Sequence, residues 1–130
     1  MRRQSREIAL QILFQTEFAP QITLNQLTGV LDHQVEQNSM NYAHEIINAV
    51  AQNKSEIDQK IQEASRHWKI DRMASVDRNI LRAAIAEMFY INEKLDPKIA
   101  INEAIELAKI YGTKDSGSFV NGLLDQVTKR

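Results

Sequence analysis

Arg2, Arg3 and Arg6 stand among the first six residues with no carboxylate between them. Guanidinium is a planar fork of donors that matches phosphate oxygens and base edges, so this end suggests an arm that lies along an RNA strand. Gln4 takes a place where a fully cationic arm would carry another charge, which thins the arm. A basic tail that merely stays solvated fits the same residues. A second candidate is Lys114-Asp115-Ser116-Gly117-Ser118, expected at a helix start. Free amide N–H groups there, joined by the hydroxyls of Ser116 and Ser118, form a natural phosphate site. Phe119 offers a ring for base stacking, although an aromatic at helical spacing ordinarily packs inward. Asp115 sets a carboxylate beside any polyanion bound at this turn.

Signals for catalysis or metal binding are poor. His33, His44 and His67 have no zinc-ligand spacing, and HExxH, CxxC, GxGxxG and P-loop patterns are absent. Glu103 and Glu106 share a helical face, and the spacing reads more simply as first-turn, solvated acids that favour the helix dipole. We therefore expect no catalytic residues, no metal and no cofactor.

Helical periodicity must supply the framework that positions these groups. Ile8, Ala9, Ile12 and Leu13 predict a first helix over 4–18, stopped by Ala19-Pro20. A shorter helix over 23–32 follows, with Thr23 as its cap. Ser39 and Ser55 are candidate caps of the third and fourth helices. Ser75 opens a fifth helix whose buried stripe is Val76, Ile80, Ala83, Ala84 and Met88. Asp96-Pro97 starts a sixth that runs to Tyr111 and stops at Gly112, and Ser116 or Gly117 starts a seventh. Trp68 reads as a core residue packed at a hinge. Phe14 lies at the edge of the first helix's stripe, either as peripheral core or as an exposed anchor. Asp77 has the position of a helix-dipole acid. The expectation is one all-α domain over 1–130, a compact bundle of about seven helices.

Composition agrees. The chain has 130 residues, 43% hydrophobic and 25% charged, with no cysteine, which excludes a disulfide framework and thiolate metal sites. No apolar run approaches the roughly 20 residues of a membrane span, so a cytoplasmic protein without membrane contact is expected. A net charge of −1 argues against a uniformly basic nucleic-acid binder. Basic residues are instead concentrated at 1–6 and at 66–82, around an acidic stretch at 30–65. That pattern suits one face for a polyanion and another for a basic partner, or an ordinary mixed surface.

Three blocks carry a more specific signal: Arg2-Arg3-Gln4-Ser5-Arg6-Glu7, Asp77-Arg78-Asn79-Ile80-Leu81-Arg82, and Ala100-Ile101-Asn102-Glu103-Ala104-Ile105-Glu106-Leu107-Ala108-Lys109 followed by Phe119-Val120-Asn121-Gly122-Leu123-Leu124-Asp125. Together they resemble the NusB family of transcription antitermination factors over essentially the whole chain. The resemblance implies binding of single-stranded boxA RNA by Arg2, Arg3, Gln4 and Arg6 and by the turn of Lys114, Asp115, Ser116, Ser118 and Phe119. It implies a partner, the ribosomal small-subunit protein NusE, on Phe14 and Asp77. It also implies delivery of the RNA to an RNA polymerase elongation complex with other Nus factors, in support of ribosomal RNA transcription. The rival expectations are a helical interaction adaptor without RNA affinity and the RNA-binding module of a ribosomal RNA methyltransferase.

Overall fold

The computed structural model describes residues 2–19 and 36–129. The described residues form six α-helices and one 3-10 turn, and no strand. These are α1 (Arg2–Phe18), α2 (Gln37–Gln52), α3 (Lys54–Ala64), the 3-10 turn Ile70–Arg72, α4 (Ser75–Phe89), α5 (Pro97–Tyr111) and α6 (Ser116–Thr128). The expected helix over 23–32 lies outside the described residues.

Helix α4 is the axis of the bundle and packs against all five others. Every residue from Asn79 to Met88 is buried, so the predicted five-residue stripe was too narrow. A helix buried on all sides is apolar all round except where a polar side chain finds an internal partner. Asn79, Arg82 and Glu87 are those exceptions. Asn79 Nδ2 donates to Glu17, at the end of α1. Arg82 makes a fork to Asp58 of α3, with Nε and Nη2 at 2.8 and 3.0 Å from the carboxylate oxygens. Glu87 faces α1 and α2. Each fully buried Ile or Leu on this helix contributes about 1.5–3 kcal/mol. The ion pairs nearly break even against desolvation, but losing one partner is costly. Burial therefore supplies the stability of α4, while the pairs penalise any other rotation of the helix.

Glu17 gathers Arg78, Asn79, Arg82 and Ser75 around one carboxylate. Partial burial alone would push that carboxyl up. Hydrogen bonds from Arg78 and Asn79 and the charges of Arg78 and Arg82 outweigh it and hold the group below its ordinary range. Arg78 also donates to the carbonyls of Ile70 and Met73, fastening the 3-10 turn to α4. Arg78 and Arg82, two of the cations in the basic stretch 66–82, thus point inward, while Arg66, Lys69 and Arg72 are exposed.

Helix ends follow their caps unevenly. Asp96 accepts the Lys98 N–H at 2.8 Å with Pro97 in the first turn, as expected. Ser39 and Ser55 do not cap. The helices begin at Gln37 and Lys54, which places both serines inside the first turn. Gly112 closes α5 with φ −97°, so left-handed backbone is not its purpose. A Cβ there would collide with the Ser116 side chain and lie 2.8 Å from the Ala108 carbonyl oxygen. Only glycine lets α6 start this close to the end of α5. Gly112→Ala should cost about 1–3 kcal/mol, the range for overpacking. Chemical unfolding of the variant with an unchanged midpoint would show that the turn opens freely.

Candidate nucleic-acid interface

The N-terminal arginines are not a free arm. They form the first turn and a half of α1, and the helix sends them to three destinations. Arg2 lies over the Tyr42 ring, 3.8 Å from its centroid, a cation–π contact that leaves the guanidinium edge open. Arg3 reaches Glu103 of α5 at 3.2 Å and remains exposed. Gln4 is exposed as well. Arg6 is different. Its guanidinium is buried and forks onto Glu87 at 2.7 and 2.9 Å, with Glu103 at 3.4 Å. Burial disfavours its charge, but the Glu87 hydrogen bonds and charge outweigh this and hold it firmly protonated. Arg6 therefore does not present its charge to solvent, which sets it apart from the exposed Arg2 and Arg3. Tyr42 completes the network by donating to Glu87 at 2.5 Å; burial and that carboxylate hold the phenol well above its ordinary range. Glu103 sits two turns into α5 between Arg3 and Arg6, and Glu106 pairs with Lys109 at 3.2 Å in an exposed contact, so neither lies in the first turn, although Glu106 is solvated as expected.

Helix α5 leads from this cluster to the second one. At its C-terminal end Tyr111 donates to Glu7 of α1 at 2.8 Å. The turn that follows borders an open cavity of about 390 Å³ lined by Lys109, Thr113, Lys114, Gly117, Ser118 and Asn121. Lys114, Asp115 and Ser118 are exposed. Ser116 is buried, and its hydroxyl accepts the Thr113 N–H at 2.9 Å while its own N–H donates to the Thr113 carbonyl. This reciprocal pair is what caps α6, and Asp115 makes no side-chain cap. Phe119 is half-buried against the core, the inward alternative of its two readings. Arg3 and Glu7 thus tie α1 to α5, Lys114 stands on the turn that follows α5, and Arg2 faces α2.

Phe14 is half-buried and lines an apolar groove of about 270 Å³ with Leu10, Gln11, Val76 and Tyr111. Its ring stands 4.9 Å from that of Phe18, which is 69% exposed at the end of α1. Asp77 follows Val76 in the first turn of α4, and its buried Oδ1 has no hydrogen-bond partner among the described residues. Of the two residues expected at a partner surface, Phe14 lines this groove, while Asp77 is the chain neighbour of its Val76 and does not line it. Trp68 contradicts its expected core role: it is 61% exposed. Its carbonyl is clamped by Gln62 and Ser65 at 2.8 and 3.1 Å, so the loop is held while the indole faces out.

The NusB family model matches residues 3–129. The chain belongs to the NusB family. It is 56% identical over 128 residues to the transcription antitermination protein NusB of Bdellovibrio bacteriovorus, covering 98% of this chain and 95% of that one. The NusB protein of Myxococcus xanthus is 41% identical, covering 97% and 93%. Among solved structures, T. maritima NusB superposes with a TM-score of 0.91 at 37% identity, covering 100% and 92% of the two chains. A chain from a crystal structure of the antitermination factors NusB and NusE with double-stranded RNA gives 0.86 at 25% identity, covering 98% and 96%. The all-α architecture expected from periodicity is that of these NusB structures. Among the described residues no cluster of three or more His, Asp or Glu could hold a metal ion, and no helix is long and apolar enough to cross a membrane.

Proposed function

We propose that this chain is a transcription antitermination factor that binds boxA-type RNA together with a NusE-type ribosomal protein and carries it to elongating RNA polymerase with other Nus factors. The observation that carries the reading is the pair of exposed cations Arg2 and Arg3 on the first turn of α1, neither of them buried as Arg6 is. Family membership supports it, as do the relatives' names as antitermination proteins and the similar fold in a NusB–NusE–RNA complex. The Phe14 groove, beside the exposed Phe18 ring, suits a partner that brings apolar side chains to an aromatic surface.

Net charge of −1 makes the isolated protein a modest RNA binder, because its cations are local and Arg3 is shared with Glu103. A basic partner adds phosphate contacts, so RNA and partner should tighten each other by the same factor. The test is a titration of labelled boxA RNA, as single strand, scrambled strand and duplex, with and without the NusE-type protein. Preference for the boxA single strand that grows with partner supports the proposal. Equal, partner-independent binding of all three RNAs overturns it, and partner binding without RNA affinity leaves the adaptor reading.

A further inference from the structure

A polar cavity of about 490 Å³ lies between the first turn of α1 and the start of α2, lined among others by Arg2, Ser5, Asn38, Ser39, Asn41 and Tyr42. Three independent features give it the character of an anion site. The N-cap of α2 is Glu36, which makes no side-chain cap, so the first amides of a sixteen-residue helix lack a side-chain acceptor. Arg2 is held over Tyr42 and makes no ion pair among the described residues, so its donors remain free at the cavity. Ser5, which lines the cavity, is fully buried, and its hydroxyl has no hydrogen-bond partner among the described residues. A buried hydroxyl without a partner calls for an explanation, and a role in binding a ligand at the cavity it lines is one.

The cavity is larger than a lone phosphate needs and falls in the size range of small-ligand sites. Two carboxylates limit its charge. Glu36 stands at the helix start, and Glu45 lines the wall while accepting the Asn92 N–H at 3.1 Å. A polyphosphate would be repelled by that pair. A single phosphodiester with an attached base is not, because an exocyclic amine on the base can donate to a carboxylate or to the Asn41 amide. We propose that this cavity holds one nucleotide of the single-stranded RNA, its phosphate on the α2 N-terminus, Arg2 and the Ser5 hydroxyl, and its base toward Glu36 and Asn41. The proposal rests on the RNA-binding reading above and extends the RNA path from the first turn of α1 onto α2.

The test uses the full chain, the single-stranded boxA RNA as probe, and paired measurements of affinity and thermal unfolding. Ser5→Ala removes only the hydroxyl; Kd should rise about five- to tenfold, with Tm unchanged or higher because an unsatisfied buried group is gone. Asn38→Asp places a carboxylate at the mouth. It should weaken binding at least tenfold at low salt, with the effect shrinking as salt rises, while Tm is maintained by the helix dipole. Arg3→Ala lies outside the cavity lining and reports on the RNA reading itself. If Arg3→Ala weakens binding but the two cavity variants bind like wild type, the nucleotide site is overturned and the RNA reading stands. If Ser5→Ala lowers Tm, its hydroxyl is a structural group and the proposal is overturned. If neither wild type nor any variant binds the probe, the RNA reading falls and the site with it.

Discussion

Glu87→Ala should destabilise the protein by about 3 kcal/mol, the lower end of the cost of breaking a buried ion pair. The substitution strands the Arg6 guanidinium inside the bundle and takes the acceptor from Tyr42. The lower end applies because Glu103 remains 3.4 Å from Arg6 and takes over part of the charge. Arg6→Met combined with Glu87→Leu should recover most of the stability, since it removes both charges and refills the volume with apolar atoms. Urea unfolding followed by circular dichroism measures the double variant beside each single substitution. If the double variant is destabilised by as much as the sum of the two single substitutions, the side chains are not coupled and the network is not what holds α1 against α4.

Replacing Arg2 and Arg3 together by alanine should leave helicity intact and strongly weaken RNA binding. The logarithmic salt slope should fall by about 0.7 for each phosphate of a single strand that is no longer neutralised. Arg6 has to be kept out of this experiment. A triple substitution would remove a buried ion-pair partner, and weaker binding would then report a shifted α1 rather than the missing cations. Unchanged affinity and slope in the double variant would remove the first turn of α1 from the RNA path.

Local rules were enough to place most helices. Asp96-Pro97 and Gly112 bracket α5 because a proline and a close-approach glycine leave chemical marks in a few adjacent residues. The fate of charged side chains was not local. Arg2, Arg3 and Arg6 look equivalent along the chain, yet the acids that tell them apart are distant: Glu103 is 100 residues from Arg3, and Glu87 is 81 from Arg6. Only the packing of α1 on α4 and α5 distinguishes a buried arginine from an exposed one. The same holds for Arg78 and Arg82, whose acids lie on α1 and α3. In Trp68 the error ran the other way. Hydrophobicity argued for the core, but the loop is pinned through its backbone by Gln62, a polar residue eight positions before Ile70, whose N–H it also binds. The resemblance carried by whole strings was legible from end to end, because it does not depend on knowing where any one side chain points.

The position of Trp68 decides how this protein can be watched. It is the only tryptophan, and its indole faces water in the folded state much as it would in an unfolded chain. Intrinsic fluorescence is therefore expected to change little when the core melts, so a flat emission trace would not mean a stable protein. The same indole, fixed on a clamped loop, should respond instead to whatever comes to rest against the segment between α3 and α4. Its spectrum makes a docking signal of what is usually a folding signal.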